Sequence, residues 1–130
     1  MEEFTVLIVD DEEPICEIIA DVLRWAYNLN VLVVHSASEA QYILFQQEIH
    51  LILLDIMMPG MDGLSLTRWI RSEPGLSEIP IVIVSAKASQ EDHKLAFASG
   101  ANNILSKPFR SIELQKVIRP YLSVKKKELV

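Results

Sequence analysis

The chain is 130 residues long, half of it hydrophobic, with a formal charge of −6 and a single cysteine. That length suits one domain burying roughly two thirds of its unfolded surface without staples, and Cys16 alone excludes an internal disulfide. The acidic balance argues against a nucleic-acid surface spread over the domain, no apolar run approaches the ~20 residues of a membrane span, and Met1-Glu2-Glu3 lacks the basic start of a signal peptide; a cytoplasmic protein is expected.

In chain order, residues 4 to 9 form a short apolar run ending in Asp10-Asp11, and Glu12, Glu13 and Pro14 read as the acidic first turn of a helix. Ile15, Ile18, Ile19, Val22, Leu23 and Tyr27 continue it at spacings of three and four, and Cys16 falls among them as a core residue. Residues 31 to 34 make a second all-apolar strand. Ser38 with Gln41 then fits a capping box for a helix running to about Gln47.

The third strand, residues 51 to 54, is apolar at every position and runs straight into Asp55, as a strand buried on both faces does. Pro59-Gly60 punctuates the loop, and Gly63 opens a helical pattern over 64 to 70. Residues 72 to 80 read as a connection. Residues 81 to 84 form a fourth buried strand ending at Ser85-Ala86-Lys87, followed by a helix from about Gln90 to Ser99 that stops at Gly100. A short fifth strand over 103 to 105 exits through Ser106-Lys107-Pro108, and Ser111 is placed to cap a last helix starting at Ile112. Pro120 predicts a kink or stop near Arg119, with Tyr121 and Leu122 packing as a further turn. Lys125-Lys126-Lys127 reads as a solvated basic tail over 125 to 130.

Five strand-helix units in succession predict an α/β fold with a parallel sheet covered on both faces. In such a sheet Asp10, Asp11, Asp55, Ser85 and Lys107 all fall at the strands' C-terminal edge, where ligands bind. Three carboxylates together invite a cation, and few ligands of hard oxygen suit Mg²⁺, which accepts phosphate oxygens as well. Lys107 adds a positive charge and Ser85 a hydroxyl. A phosphoryl group is a sensible guest for that set, and one shielded aspartate is able to act as the nucleophile and form an aspartyl phosphate. His35, His50 and His93 show no metal-ligand spacing with Cys16, Trp25 and Trp69 read as packing or partly exposed residues on helices, and Met57, Met58 and Met61 read as flexible lining beside the acidic site.

Val-Asp-Asp near the N-terminus, Leu-Leu-Asp-Ile-Met-Met-Pro-Gly-Met-Asp-Gly, Val-Ser-Ala and Ser-Lys-Pro-Phe, in this order, resemble a response-regulator receiver domain (CheY-like) of two-component signalling, over about residues 4 to 122. The resemblance implies a flavodoxin-like, doubly wound five-stranded sheet of order 2-1-3-4-5 with five helices, a receiver spanning 1 to 124, and a module that is not an enzyme beyond its own phosphoryl transfer and dephosphorylation. It further implies Asp55 as the phosphoacceptor served by a histidine kinase or phosphotransfer protein, with Mg²⁺ held by Asp10, Asp11, Asp55 and the backbone carbonyl of Met57. Lys107 and Ser85 would contact the phosphoryl group, Ser85 biasing the surface of helix 4, strand 5 and helix 5 towards a downstream protein. A monomer or a phosphorylation-dependent dimer, with no nucleic acid or membrane bound by this domain, completes the expectation; a stand-alone receiver and one belonging to a longer protein are both compatible with it. Met57 and Lys87 match positions that influence the phosphoryl group's survival.

One position departs from the family pattern. Ile104, three before Lys107, stands where a Tyr or Phe usually swings inward with the serine or threonine, and an aliphatic side chain lacks the aromatic's polar tip. The expected output path therefore runs through the Ser85 loop and helix 4, without a rotamer flip at strand 5. A pseudo-receiver serving as a constitutive interaction module is the alternative that Ile104 leaves open. An aspartyl-nucleophile phosphatase of the haloacid-dehalogenase kind is disfavoured by Met57, which stands where a second aspartate is wanted, and by the lack of an inserted cap region.

Overall fold

The computed structural model describes residues 4–123. Its elements alternate throughout: β1 (Thr5–Val9), α1 (Glu13–Tyr27), β2 (Asn30–Val34), α2 (Ala37–Gln46), β3 (Leu51–Leu54), α3 (Gly63–Ser72), β4 (Ile81–Ser85), α4 (Gln90–Ser99), β5 (Asn103–Ser106) and α5 (Ser111–Ile118), with a 3₁₀ turn over Arg119–Tyr121. All four strand pairings are parallel and the sheet order is β2-β1-β3-β4-β5. This is the doubly wound, flavodoxin-like arrangement, with the order reversing direction between β1 and β3.

The apolar runs explain the layering. β1, β3 and β4 are buried at every position, because alternate side chains feed two separate cores. Leu7, Val9, Ile52, Leu54, Ile81 and Ile83 point to one face, against Ala40 and Leu44 of α2, Leu66 and Ile70 of α3 and Ala96 of α4. Val6, Ile8, Leu51, Leu53, Val82 and Val84 point to the other, against Cys16, Ile19 and Leu23 of α1 and Leu114 and Ile118 of α5. Each fully buried Leu or Ile on these faces contributes about 2 kcal/mol of transfer free energy.

Several local expectations shift. β2 is as apolar as its neighbours, yet only Val31 in it is buried, since it is an edge strand with no further strand beyond it among the described residues. The cap of α2 is Ser36, not Ser38: its hydroxyl accepts the Glu39 N–H at 3.2 Å and donates to the Glu39 carboxylate at 3.0 Å. Ser111 is the first residue of α5 and not its cap; the Glu113 carboxylate reaches back to the Arg110 N–H at 2.8 Å instead. Pro120 does end the helix, α5 giving way to the 3₁₀ turn at Arg119, and Tyr121 and Leu122 pack on the α1/α5 side of the sheet. α4 ends at Gly100, whose φ of 112° lies in the left-handed region. The basic tail over 125 to 130 lies outside the described residues.

Between α3 and α4, Arg71 is a fastener that local patterning does not reveal. Its guanidinium donates to the carbonyls of Gly100 (2.9 Å), Ser77 (3.0 Å) and Ile79 (2.7 Å) and to Asn102 Oδ1 (2.8 Å). Asn102 in turn accepts the Ile81 N–H at 2.8 Å, so one side chain ties the C-terminal end of α3 to the start of β4 and the entry of β5. Burial lowers the Arg71 pKa from its ordinary value, opposed by the charge of Glu78.

Candidate functional site

Strand register builds the site. Val9 of β1 lies beside Leu54 of β3, so the next residues, Asp10 and Asp55, emerge side by side at the C-terminal edge. Asp55 N–H donates to the Val9 carbonyl at 3.0 Å and Asp10 N–H to the Val34 carbonyl at 3.2 Å, which prolongs the sheet's hydrogen bonding into the aspartates themselves. Both carboxylates are buried, whereas Asp11 is exposed. Carboxylate oxygens from Asp10, Asp11 and Asp55 all lie within 4.8 Å of one another.

Lys107 enters from the other side of the sheet. Its N–H donates to the Ser85 carbonyl at 3.0 Å, which ties the exit of β5 to β4, and the Lys107–Pro108 peptide that follows is cis. The side chain runs back across the edge and its ammonium meets Asp10 Oδ2 at 2.7 Å, Glu12 Oε1 at 3.0 Å and Asp55 Oδ2 at 3.3 Å. Burial alone would lower the Lys107 pKa, but its hydrogen bonds to Asp10 and Glu12 and the charges of Asp10 and Asp55 outweigh that, leaving it above the ordinary lysine value. For Asp10 burial dominates and raises its pKa, against the lowering effects of the Lys107 and Glu12 hydrogen bonds.

The loop after β3 is shaped around Asp55. Met57 N–H donates to Asp55 Oδ1 at 3.2 Å, Gly63 N–H donates to the Ile56 carbonyl at 2.9 Å, and Asp62 caps α3 by accepting the Ser65 N–H at 2.8 Å. Gly63 sits so close to the Asp55 backbone that an added Cβ would run into its carbonyl and lie 2.9 Å from the Ile56 Cα. Glycine is required there by contact, not by an unusual dihedral angle.

Ser85, at the end of β4, is fully buried, and its hydroxyl accepts the Lys87 N–H at 3.1 Å. Beyond it the Lys87 ammonium stands 3.9 Å from Asp92. Ser89 and Asp92 cap α4 reciprocally: Ser89 Oγ accepts the Asp92 N–H at 3.2 Å, while Asp92 accepts both the Ser89 N–H (2.9 Å) and hydroxyl (2.6 Å). These bonds from Ser89 hold the Asp92 pKa below the usual carboxylate value. Ile104, beside Ile83 in β5, is buried in the core shared with α4. Met57 is mostly exposed, Met58 is buried, and Met61 takes a weak bond from Gln41 Nε2 at 3.9 Å.

Two partners at the site escape the sequence patterning. Glu12 reads as an ordinary first-turn acid of α1, but it is the N-cap residue and a direct partner of Lys107. His35, from the end of β2, donates through Nδ1 to the Asp10 carbonyl at 2.9 Å, and the Cys16 thiol approaches the same oxygen at 3.4 Å. Cys16 is buried as expected; burial first, then the Asp10 charge, pushes its thiol up to about 11. A hint of the first lies in the four consecutive acids, 10 to 13, where a tight turn on Asp10 brings the Glu12 N–H within 2.9 Å of Asp10 Oδ1.

Comparison with known proteins agrees with this geometry. The sequence-family model of the response regulator receiver domain matches residues 6–119. The transcriptional regulatory protein YvrH of Bacillus subtilis is 38% identical over 122 residues, 94% of this chain and 50% of that protein. The chain thus spans about half the length of the curated relatives it matches. Among solved structures, the chemotaxis protein CheY4 of Vibrio cholerae superposes with a TM-score of 0.87 at 26% identity, over 93% of this chain and 100% of that one. The receiver domain of the sensor histidine kinase PA1611 from Pseudomonas aeruginosa, with a magnesium ion coordinated in its active site cleft, gives 0.83 at 30% identity over 92% and 98%. With its fold, its acidic pocket and nearly its whole described length in agreement, this chain belongs to the response regulator receiver domain family of two-component signalling.

Proposed function

We propose that this chain is the phosphoacceptor of a two-component phosphorelay, taking a phosphoryl group onto Asp55 from a phosphohistidine on a histidine kinase or phosphotransfer protein. The observation that carries the reading is one edge of one sheet: Asp10, Asp11 and Asp55 within 4.8 Å of one another, with the Lys107 ammonium 3.3 Å from the Asp55 carboxylate. An Asp55 oxygen attacks phosphorus in line, the P–N bond to the donor imidazole breaks, and its electron pair returns to that nitrogen. Lys107 lies close enough to pass its hydrogen bond from Asp55 to a phosphoryl oxygen. The Ser85 hydroxyl, which now accepts from Lys87, retains its own proton to donate to the phosphoryl group.

The donor set fits Mg²⁺. All three side chains offer hard carboxylate oxygens, and their clustering is close to the ~4 Å that spans opposite ligands in an octahedral Mg²⁺ shell. Asp10, Asp11 and Asp55 would hold the ion, with the backbone carbonyl of Met57 as a fourth protein ligand. When bound, it offsets the negative charge that gathers as an anionic donor approaches three carboxylates.

Output follows from Ser85. Recruiting its hydroxyl to a phosphoryl group disturbs the Ser85–Lys87 bond and with it the entry to α4, changing the surface of α4, β5 and α5 that a downstream protein would bind. Ile104 sits in that path as packing. In this reading the receiver spans 1 to 124 with a basic tail or linker after it, acts in the cytoplasm as a monomer or phosphorylation-dependent dimer, and leaves membranes and nucleic acid to other proteins or domains.

Intact mass after incubation with acetyl phosphate and Mg²⁺ tests the assignment. One added phosphoryl group, lost in Asp55→Asn and on chelation with EDTA, supports it. An unmodified wild type that also fails to bind beryllofluoride would leave a constitutive interaction module as the better account.

A further inference from the structure

We infer that Glu12 is the positioning residue for Lys107, anchoring its ammonium by a carboxylate that takes no other part in phosphoryl transfer. The inference rests on the phosphoacceptor reading above and concerns the same site.

An ammonium has three N–H donors, and Lys107 spends them on three carboxylates, Asp10 at 2.7 Å, Glu12 at 3.0 Å and Asp55 at 3.3 Å. Two of these partners have other duties. Asp55 is the proposed nucleophile, and Asp10 and Asp55 both belong to the cluster that would hold the cation. Their oxygens are therefore shared, and the hold on Lys107 weakens when the site is loaded. Glu12 lies outside that cluster, so its carboxylate is free of those duties and available to hold Lys107 when Asp10 and Asp55 are engaged.

The backbone keeps Glu12 in place for this. Its N–H donates to Asp10 Oδ1 at 2.9 Å, and its carbonyl accepts from Ile15 at 3.1 Å and Cys16 at 3.2 Å as the N-cap residue of α1. Its side chain is 57% exposed while that of Lys107 is 8% exposed, so the carboxylate closes over the ammonium from the solvent side. A long lysine otherwise has several rotamers to choose from, and restricting them before reaction removes part of the entropy cost of placing its charge on the phosphoryl oxygens.

The test compares phosphorylation rates with acetyl phosphate at saturating Mg²⁺ for wild type, Glu12→Gln and Glu12→Ala, each also in a Lys107→Ala background. A half-exposed charge pair is worth a factor of about three to five. Glu12→Ala should slow the reaction by about that much, Glu12→Gln should fall between, and neither should change the residual rate once Lys107 is absent. Two readouts do not depend on turnover. The Lys107 ¹⁵Nζ resonance of the metal-free protein should broaden in Glu12→Ala as its protons exchange faster with solvent, and the Kd for Mg²⁺ alone, by calorimetry, should change less than twofold. An unchanged or faster rate, an equal loss in both backgrounds, or an unaltered ammonium resonance would each overturn the anchor role while leaving Asp55 as phosphoacceptor. A wild type that takes up no phosphoryl group would instead remove the reading on which the inference rests.

Discussion

Lys107 Nζ stands 2.7 Å from Asp10 Oδ2, with 8% of one side chain and 3% of the other exposed. The two residues are 97 positions apart in sequence, and each is the other's shortest ionic contact at the sheet edge. Burial raises the Asp10 pKa, and Lys107 is the cation whose hydrogen bond and charge oppose that rise.

Removing that cation leaves Asp10 and Asp55 buried beside each other with no compensating charge. Lys107→Ala should therefore lose about 3 kcal/mol in urea unfolding at pH 7, and added Mg²⁺ should recover part of it. The pH dependence has a definite sign. Because the folded pKa of Lys107 is raised above the ordinary 10.5, its contribution is fully present below pH 10.5 and is lost as pH rises through the folded value. The gap between wild type and variant should stay level on the alkaline side of neutrality and begin to close only above pH 10.5.

Gly63 reports on how tightly α3 presses on the phosphoacceptor's backbone. A methyl group there meets the Asp55 carbonyl carbon at 2.8 Å and the Ile56 Cα at 2.9 Å, both backbone atoms with little freedom to yield. Gly63→Ala should cost about 2–3 kcal/mol by overpacking and slow phosphorylation as well, because the strain falls on Asp55 itself. A melting temperature equal to that of the wild type would contradict the contact.

Arg71 offers a test remote from the acidic pocket. Arg71→Ala strands the carbonyls of Gly100, Ser77 and Ile79 and leaves Asn102 Oδ1 with the Ile81 N–H but without its guanidinium donor, for an expected loss of about 2–3 kcal/mol. Lysine should restore little, since one ammonium cannot reproduce the planar fork that meets four oxygens. Denaturant unfolding of both variants reads this directly, and phosphorylation of the folded fraction should be retained.

The reciprocal cap of α4 depends on ionised Asp92. Its pKa is held below the ordinary 3.8 by Ser89, so its stabilisation is present above pH 3.8 and lost as pH falls through the lower folded value. At neutral pH, Asp92→Ala should lower hydrogen-exchange protection in the first turn of α4 relative to wild type. That difference should vanish in strong acid.

Ile104 separates two modes of output. It is packed against the core shared with α4 and pairs with Ile83, with no polar tip to carry outward. On beryllofluoride binding its methyl resonances should keep their rotamer-sensitive shifts while the amides of 86 to 90 move. A rotamer change at Ile104 as the dominant event would reverse that expectation.

Much of this protein is legible in its sequence because the information is local. Uniform apolar runs at 51 to 54 and 81 to 84 declare strands covered on both faces, Gly100 and Pro120 mark helix ends, and aspartates, a serine and a lysine at strand exits must share an edge once the strands are parallel. Other features depend on which elements become neighbours. Val33 and Val34 are no less apolar than Val82 and Val84, yet they are partly exposed because β2 is an edge strand. Glu12 becomes a lysine partner only when the Lys107 side chain reaches back from β5 along the sheet edge, and His35 and Cys16 converge on one carbonyl only when β2 pairs with β1 and α1 packs against it. Periodicity along a chain records which face a side chain presents; which distant charge or hydrogen-bonding group waits on that face is decided by the packing of elements many residues apart.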